Sequence, residues 1–257
     1  MNDFSVIIPA RMSSTRLPRK MLLDVVGLPL IIRVAKQAQL SQAKQVIIAT
    51  DHEEIFATCK SHGINVVMTS PDHQSGTDRI AEVAAQLGLS DSEIIVNVQG
   101  DEPLIDPELI NQLAKFIAKK QTAIATIAHP IHSPDEIFNP NVVKTVLNKD
   151  NLALYFSRAP IPYYRDGYTN AKDFAYPQQL NILRHIGIYA YQVSFLNIYH
   201  QLPSCPLEQV EALEQLRALY NGYKIAVMTT THAPAAGVDT LEDLVRVRQI
   251  ILAQDHD

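Results

Sequence analysis

The sequence predicts an α/β fold in which a mostly parallel sheet is flanked by helices, and three observations carry that expectation. Short β-branched runs alternate with longer stretches of helical period from the N-terminus through Lys119. The most polar loops come after the strands, where an open parallel sheet holds its ligands. Of the 257 residues, 47% are hydrophobic, enough to build a sizeable core.

Taken in order, Phe4 to Ile8 is a buried-type strand, and Pro9, which cannot donate to a ladder, is expected to lead the chain out of the sheet. Leu28 to Leu40 enters a helix at Pro29 and lines up Leu30, Val34 and Ala38 on one stripe. A strand at Gln45 to Ala49, a helix at Glu53 to His62 and a strand at Asn65 to Met68 follow. Asp78 to Leu87 is helical, Ile94 to Val98 a strand, and Pro107 to Lys119 a helix. Such repeated βαβ units wind a Rossmann-like sheet with right-handed crossovers. Pro9 to Lys20, Thr50-Asp51, Thr69 to Thr77 and Gln99 to Pro103 would then emerge along one edge.

Beyond Lys119 the alternation weakens. Strands are predicted at Ala123 to Ala128, Val142 to Leu147, Arg184 to Tyr191 and Ile225 to Thr229, with a helical turn at Ser133 to Phe138. Helices are predicted at Ser194 to Gln201, Glu208 to Leu219 and Thr240 to Leu252. Nine of the 17 aromatics lie between Tyr155 and Tyr191, and Ala159 to Gln179 has no clear period. So aromatic a stretch is expected to pack over a site or against another subunit. Without repeats or linkers, residues 1–257 read as a single domain carrying an inserted subregion at approximately 130–192.

Net charge −5 and a pI near 6.0 argue against nucleic acid as a partner, because such binders present a broad basic face. Cys59 and Cys205 have no metal or redox spacing and read as reduced thiols of a cytoplasmic protein. The most apolar stretch, Val25 to Ile32, is short and broken by Gly27 and Pro29, so neither a signal peptide nor a membrane span is expected. Motifs of the P-loop, the serine nucleophile elbow and the H-E-x-x-H zinc site do not occur.

The chemistry-bearing stretch is Ser5-Val-Ile-Ile-Pro-Ala-Arg-Met-Ser-Ser-Thr-Arg-Leu-Pro-Arg-Lys-Met-Leu-Leu23. Arg11, Arg16, Arg19 and Lys20 fall within ten residues beside Ser13, Ser14 and Thr15, and no Asp or Glu interrupts them. Guanidinium forks and hydroxyls in that density suit a polyphosphate; a solvated basic loop is the alternative. Asp101, in Gln-Gly-Asp-Glu-Pro103, follows a buried strand and could hold a hard cation against phosphates, or form a turn before the helix at Pro107. Asp239, in Gly-Val-Asp-Thr240, could do the same or cap the last helix with Glu242 three residues on. Ser75, Gly76 and Thr77 open a helix, as anion or base contacts or as a plain cap.

Pro-Ala-Arg-x-x-Ser-Thr-Arg-Leu-Pro-x-Lys resembles the signature loop of the CMP-Kdo synthetases, nucleotidyltransferases that activate 3-deoxy-manno-octulosonate (Kdo) with CTP. Later segments match too, over nearly the whole chain. The resemblance implies a nucleotide-diphospho-sugar transferase-like fold, catalytic roles for Arg11, Lys20, Asp101 and Asp239, and phosphate contacts from Arg11, Ser13, Arg16 and Lys20. It implies base contacts from Ser75, Gly76, Thr77 and Arg79, and Mg²⁺ on Asp101 and Asp239. Gln99, Arg158, His185, Tyr189, Glu214 and Gln215 would hold the sugar acid, although Arg158 and His185 could instead pair within the fold. On one helix from Glu208 to Leu219, Val210, Leu213 and Leu216 would face the core while Glu211, Glu214 and Gln215 share the polar side. A cytoplasmic homodimer that makes CMP-Kdo for lipopolysaccharide synthesis is implied, pairing through the aromatic region. A related 2-keto sugar acid, sialic-acid-like or 8-amino-Kdo, is the alternative substrate, and a nucleotide-sensing module the non-enzymatic alternative. The chain departs from the family pattern at Arg19 and Met21, where Gly and Pro are usual. Glycine at the first of these would accept a positive φ that arginine adopts poorly.

Overall fold

The computed structural model of the chain describes residues 3–14, 16–73, 75–165, 167–168, 181–231 and 237–254. Among the described residues one sheet contains β1 (Phe4–Ala10), β2 (Gln45–Thr50), β3 (Asn65–Met68), β4 (Ile94–Asn97), β5 (Ile124–Pro130), β6 (Lys144–Leu147), β7 (Ala153–Ser157), β8 (Leu183–Gln192) and β9 (Ile225–Thr229). The main order is β3-β2-β1-β4-β8-β5-β9. Only β8 runs against its neighbours on that path, so the predicted mostly parallel sheet is present. β6 and β7 form an antiparallel hairpin that joins the start of β8.

The helices are α1 (Leu30–Ala38), α2 (Glu53–Ser61), α3 (Gly76–Gln86), α4 (Pro107–Lys120), α5 (Pro134–Phe138), α6 (Val193–Tyr199), α7 (Pro206–Glu211), α8 (Gln215–Tyr220) and α9 (Leu241–Gln254). The two-residue period of a strand sorts them into layers. Val6, Ile8 and Ala10 of β1 pack with Leu30 and Val34 of α1, Ile110 and Leu113 of α4 and Val247 of α9. Ile7, on the opposite face, packs with Ile80 and Val83 of α3, Phe195 and Leu196 of α6 and Leu216 of α8. Removing a buried side chain of this size typically costs about 2–5 kcal/mol, so both layers hold the strand ends in place. The two cysteines are free and buried, and burial pushes the Cys59 thiol up to about 12, which makes it unreactive. Among the described residues no helix is long and apolar enough to cross a membrane.

Three expectations are corrected. Pro9 stays inside β1, opposite Ala49 of β2. The reason lies in the register: Ile7 O accepts from Val98 N on the β4 side, and Pro9, two residues on, faces the same side beyond the last β1–β4 pair, Ile7↔Asn97. Its missing N–H therefore leaves no acceptor unsatisfied. The second correction is β7, which sequence reading did not assign. Its turn is built by Asn148, whose Oδ1 accepts from Asp150 N and Leu152 N at 2.9 Å each, and by Asn151, left-handed at φ 59.

The third is the helix expected over 208–219, which is broken into α7 and α8 at Ala212, φ 50. Arg158 caps the break. Its guanidinium donates to Glu211 O at 2.7 Å and Ala212 O at 3.5 Å, so the last carbonyls of α7 are satisfied by a side chain. The Glu211 carboxylate in turn accepts from Ser157 Oγ (2.6 Å) and Arg158 N (2.9 Å), pinning α7 to the end of β7. Val210, expected in the core, is consequently 86% exposed, whereas Leu213 and Leu216 are buried as expected.

Candidate active site

The loops that leave β1 and β4 meet α3, α7 and the segment before α9 around a cleft of about 950 Å³. That is ample for a nucleotide and a second small molecule. Arg11, Ser13, Arg16, Lys20, Ser75, Gly76, Gln99, Asp101, Glu214 and Asp239, all expected in the site, line it together. Thr15 lies outside the described residues.

Close backbone packing brings the parts together. A Cβ on Gly100 would stand 2.9 Å from Pro9 O and 3.1 Å from Met21 Sδ, so only glycine lets the 99–101 turn lie on the end of β1. Val238 N donates to Asp101 O at 2.8 Å, and a Cβ on Gly237 would approach that same oxygen to 3.1 Å. The loops bearing Asp101 and Asp239 are therefore tied to each other directly. Asp239 is not the helix cap. Thr240 Oγ1 accepts from Asp243 N, and the Asp243 carboxylate accepts from the amides of Asp239 and Thr240, so the capping box lies one residue on from the Asp239–Glu242 pair. Asp106, not Asp101, caps α4. Both candidate carboxylates are left with no capping role.

They converge on one cation. Lys20 Nζ lies 2.7 Å from Asp101 Oδ2 and 3.1 Å from Asp239 Oδ1, and Arg16 Nη2 lies 3.0 Å from Asp239 Oδ2. Burial alone would lower the Lys20 pKa, but Asp101 and Asp239 outweigh it and hold the ammonium above its ordinary value. Two carboxylates that share one positive charge can share a metal ion. No group of three or more His, Cys, Asp or Glu side chains suited to a metal occurs among the described residues. An ion here would draw its remaining ligands from water and phosphate, which is how Mg²⁺ sits in nucleotide sites, so the pair fits it.

Lys20 begins a single 3₁₀ turn, Lys20–Leu22, and the residue before it, Arg19, is left-handed at φ 57, ψ 26. Glycine at this position would carry no Cβ penalty. Arg19 carries it, with its guanidinium paired to Glu54 at the surface. Arg19→Gly should therefore raise stability by about 0.5–1 kcal/mol, the strain relieved less the small value of an exposed pair and the flexibility gained when unfolded. Urea unfolding of the two proteins checks this; a destabilised variant would show that the Glu54 pair outweighs the strain.

Six expected residues stand away from the cleft. Arg79 is fully buried, donating to Thr69 Oγ1 and, at 2.7 Å, to Asp51 Oδ2. Thr77 is 2% exposed and donates to Glu214 Oε2 at 3.1 Å, so it orients that carboxylate from behind. Ser75 does line the cleft, yet it also caps α3 by accepting from Asp78 N, so the plain-cap reading is realised as well. Arg158 spends its guanidinium on the α7 carbonyls and on Pro140 O, which holds a cleft wall instead of offering a free cation. His185 packs between Phe156 and Tyr189 with Nε2 3.0 Å from Thr126 Oγ1, and burial pushes its pKa down to about 3, so it stays neutral. Tyr189, 7% exposed, stacks on Tyr191. Gln215, 9% exposed, turns with Tyr189, Tyr191 and Tyr199 into a buried pocket of about 10 Å³, because the break at Ala212 rotates α8 away from the predicted helix face.

Sequence reading missed Glu208 and gave Arg217 no role of its own, although its Leu-Glu-Gln-Leu-Arg segment resembled the family's sugar-binding helix; both line the cleft. Arg217 Nε and Nη2 grip the Glu208 carboxylate at 2.6–3.1 Å, and its guanidinium lies 4.9 Å from the Tyr199 ring centroid. The hydrogen bonds it donates to Glu208 raise the Arg217 pKa further. The opposite charges nine residues apart were visible, but a continuous helix would not have brought them together in this way.

The family model described as "Cytidylyltransferase" matches residues 5–225. A 3-deoxy-manno-octulosonate cytidylyltransferase of Herminiimonas arsenicoxydans is 59% identical over 247 residues, 96% of this chain and 98% of that protein. The protein of the same name from Neisseria gonorrhoeae is 54% identical over 250 residues, with 97% and 98% covered. Among solved structures, that of a CMP:2-keto-3-deoxy-manno-octonic acid synthetase complexed with CTP superposes with a TM-score of 0.88 at 39% identity, covering 98% of this chain and 100% of that one.

Proposed function

The chain belongs to the cytidylyltransferase family, and from that premise we propose that it transfers CMP from CTP to Kdo, giving CMP-Kdo and diphosphate for lipopolysaccharide synthesis. The observation that carries the reading is the convergence of Asp101, Asp239 and Lys20 at the end of a cation-rich phosphate loop. In-line attack by the sugar's anomeric hydroxyl on the α-phosphorus forms the new P–O bond as the bond to diphosphate breaks. Phosphoryl chemistry asks little covalent participation of the protein, so positioning and charge neutralisation do most of the catalysis.

Arg11, Ser13 and Arg16 hold the triphosphate, and Lys20 follows the charge that develops on the departing diphosphate. Ser75 and Gly76 offer the start of α3 to the nucleotide, and Glu214, steadied by Thr77, accepts hydroxyl protons from across the cleft. Gln99 Nε2 donates to Gly187 O at 3.1 Å, which would leave its carbonyl to accept from the sugar. Asp101 and Asp239 would hold Mg²⁺, which supplies charge neutralisation on the phosphates and sharpens the attacking hydroxyl. Diphosphate release measured with CTP and UTP against Kdo, an 8-amino-Kdo and a sialic acid tests the assignment. CTP with Kdo should give the highest kcat/KM, and a preference for another sugar acid would move the enzyme to a neighbouring specificity.

The subregion at approximately 130–192 serves the sugar and a two-fold partner in this reading, and the enzyme works in the cytoplasm. Leu154 on β7 is 61% exposed and Tyr163 70% exposed, which supports an apolar contact there. Tyr168 instead folds back on Phe138, with ring centroids 5.4 Å apart, so part of the aromatic stretch is satisfied within the subunit. Phe174 and Tyr176 lie outside the described residues. Sedimentation at micromolar concentration should give a dimer. A single species of monomer mass would reject it.

A further inference from the structure

The position of Lys20 carries a consequence beyond phosphate binding. Its ammonium sits where the two candidate metal carboxylates converge, 2.7 Å from Asp101 Oδ2 and 3.1 Å from Asp239 Oδ1. Only 10% of the Lys20 side chain is exposed, so this is not a loose surface pair. Its backbone is fixed as well, since the 3₁₀ turn is closed by Leu22 N to Arg19 O and Leu23 N to Lys20 O. The backbones that carry the two carboxylates are held side by side by Val238 N–Asp101 O and the close approach at Gly237. Arg16 reaches Asp239 alone and leaves Asp101 to Lys20. Two carboxylates that meet at one ammonium repel each other when that charge is removed.

We infer that Lys20 is the site's resident counter-ion: it holds the Asp101–Asp239 pair preassembled before nucleotide binds and keeps free divalent cations out, so that metal enters only with a nucleotide whose phosphates draw the ammonium away. The inference rests on the proposal that these two carboxylates form the metal pair. One ammonium and one metal ion cannot occupy the same convergence point, so the affinity for metal alone is set by the cost of displacing Lys20. Triphosphate oxygens lower that cost by giving the ammonium another anionic partner. Binding thereby becomes ordered without any movement of the fold, through a single side chain that exchanges carboxylates for phosphates.

Mn²⁺ is the probe, with free ion counted by its paramagnetic resonance signal in the absence of Kdo, so that nothing turns over. Without nucleotide, Lys20→Met should bind Mn²⁺ at least about tenfold more tightly than the wild type, as the removal of one close like charge implies. With saturating CTP that advantage should shrink or vanish. The same variant should melt at a lower temperature than the wild type in chelator and recover on adding Mn²⁺, a rescue that a purely phosphate-binding lysine would not give. If Lys20→Met does not fold, Lys20→Gln removes the charge while keeping a hydrogen-bond donor and should show the same order of affinities. Equal Mn²⁺ affinity of variant and wild type without nucleotide, with both binding the ion once CTP is present, overturns the counter-ion role and leaves the metal pair standing. Absence of Mn²⁺ binding in every protein even with CTP overturns both.

Discussion

Asp101→Asn is expected to lower kcat by about 10²–10³ at saturating CTP, Kdo and Mg²⁺, the usual loss when a preorganised electrostatic contact is removed from a transition state. The substitution keeps the shape of the side chain, and the backbone bond from Val238 N to Asp101 O does not involve the carboxylate, so the loop pairing survives. Asp101 packs no core either; it is half-buried at the mouth of a strand. The variant should therefore melt close to the wild type while turnover falls, and diphosphate release beside a thermal melt separates the two effects. Near-normal turnover in a folded variant would remove Asp101 from the catalytic centre.

Asp51→Ala should cost about 3–5 kcal/mol of stability, the second large effect, because it strands a buried guanidinium. Arg79 is fully buried and has Asp51 as its anionic partner at 2.7 Å, with Thr69 Oγ1 as the neutral one. Alanine supplies no acceptor, and the charge cannot be shed because arginine does not deprotonate. Chemical unfolding measures the loss. A change below about 1 kcal/mol would mean that Arg79 finds another anion, and would return it to the role of nucleotide contact that the family resemblance implied. The pair also explains why Thr50-Asp51, predicted at the ligand edge, serves there as a brace.

The first half of the fold was legible because its information is local. From β1 to α4 the alternation of apolar runs, helix caps and glycine turns sits in consecutive residues, and the predicted spans differ from the observed ones by a few terminal positions. The phosphate loop was legible for the same reason, whereas the positive φ at Arg19 was flagged only by its departure from the glycine usual in the family it resembles. The remainder depends on contacts between distant residues. A periodicity argument runs helically through Glu208 to Leu219; it cannot see that Arg158, over fifty positions earlier, takes the carbonyls at Glu211 and Ala212 and ends the helix there. That one cap exposes Val210, buries Gln215 and brings Arg217 to Glu208. Asp239 was legible as a candidate but ambiguous as a cap until Thr240 and Asp243 were seen to take that role. The burial of Arg79 and the packing of His185 between Phe156 and Tyr189 follow from contacts that no spacing encodes.

The cleft is expected to join the α-phosphate of CTP to the anomeric oxygen of Kdo and to release diphosphate intact. Phosphorus-31 resonance spectra of the protein with CTP, Kdo and Mg²⁺ test it most directly. One phosphodiester signal should grow in step with one equivalent of inorganic diphosphate, with neither forming when Kdo is omitted. Diphosphate or orthophosphate released without Kdo, or CTP left unchanged when every component is present, would contradict it.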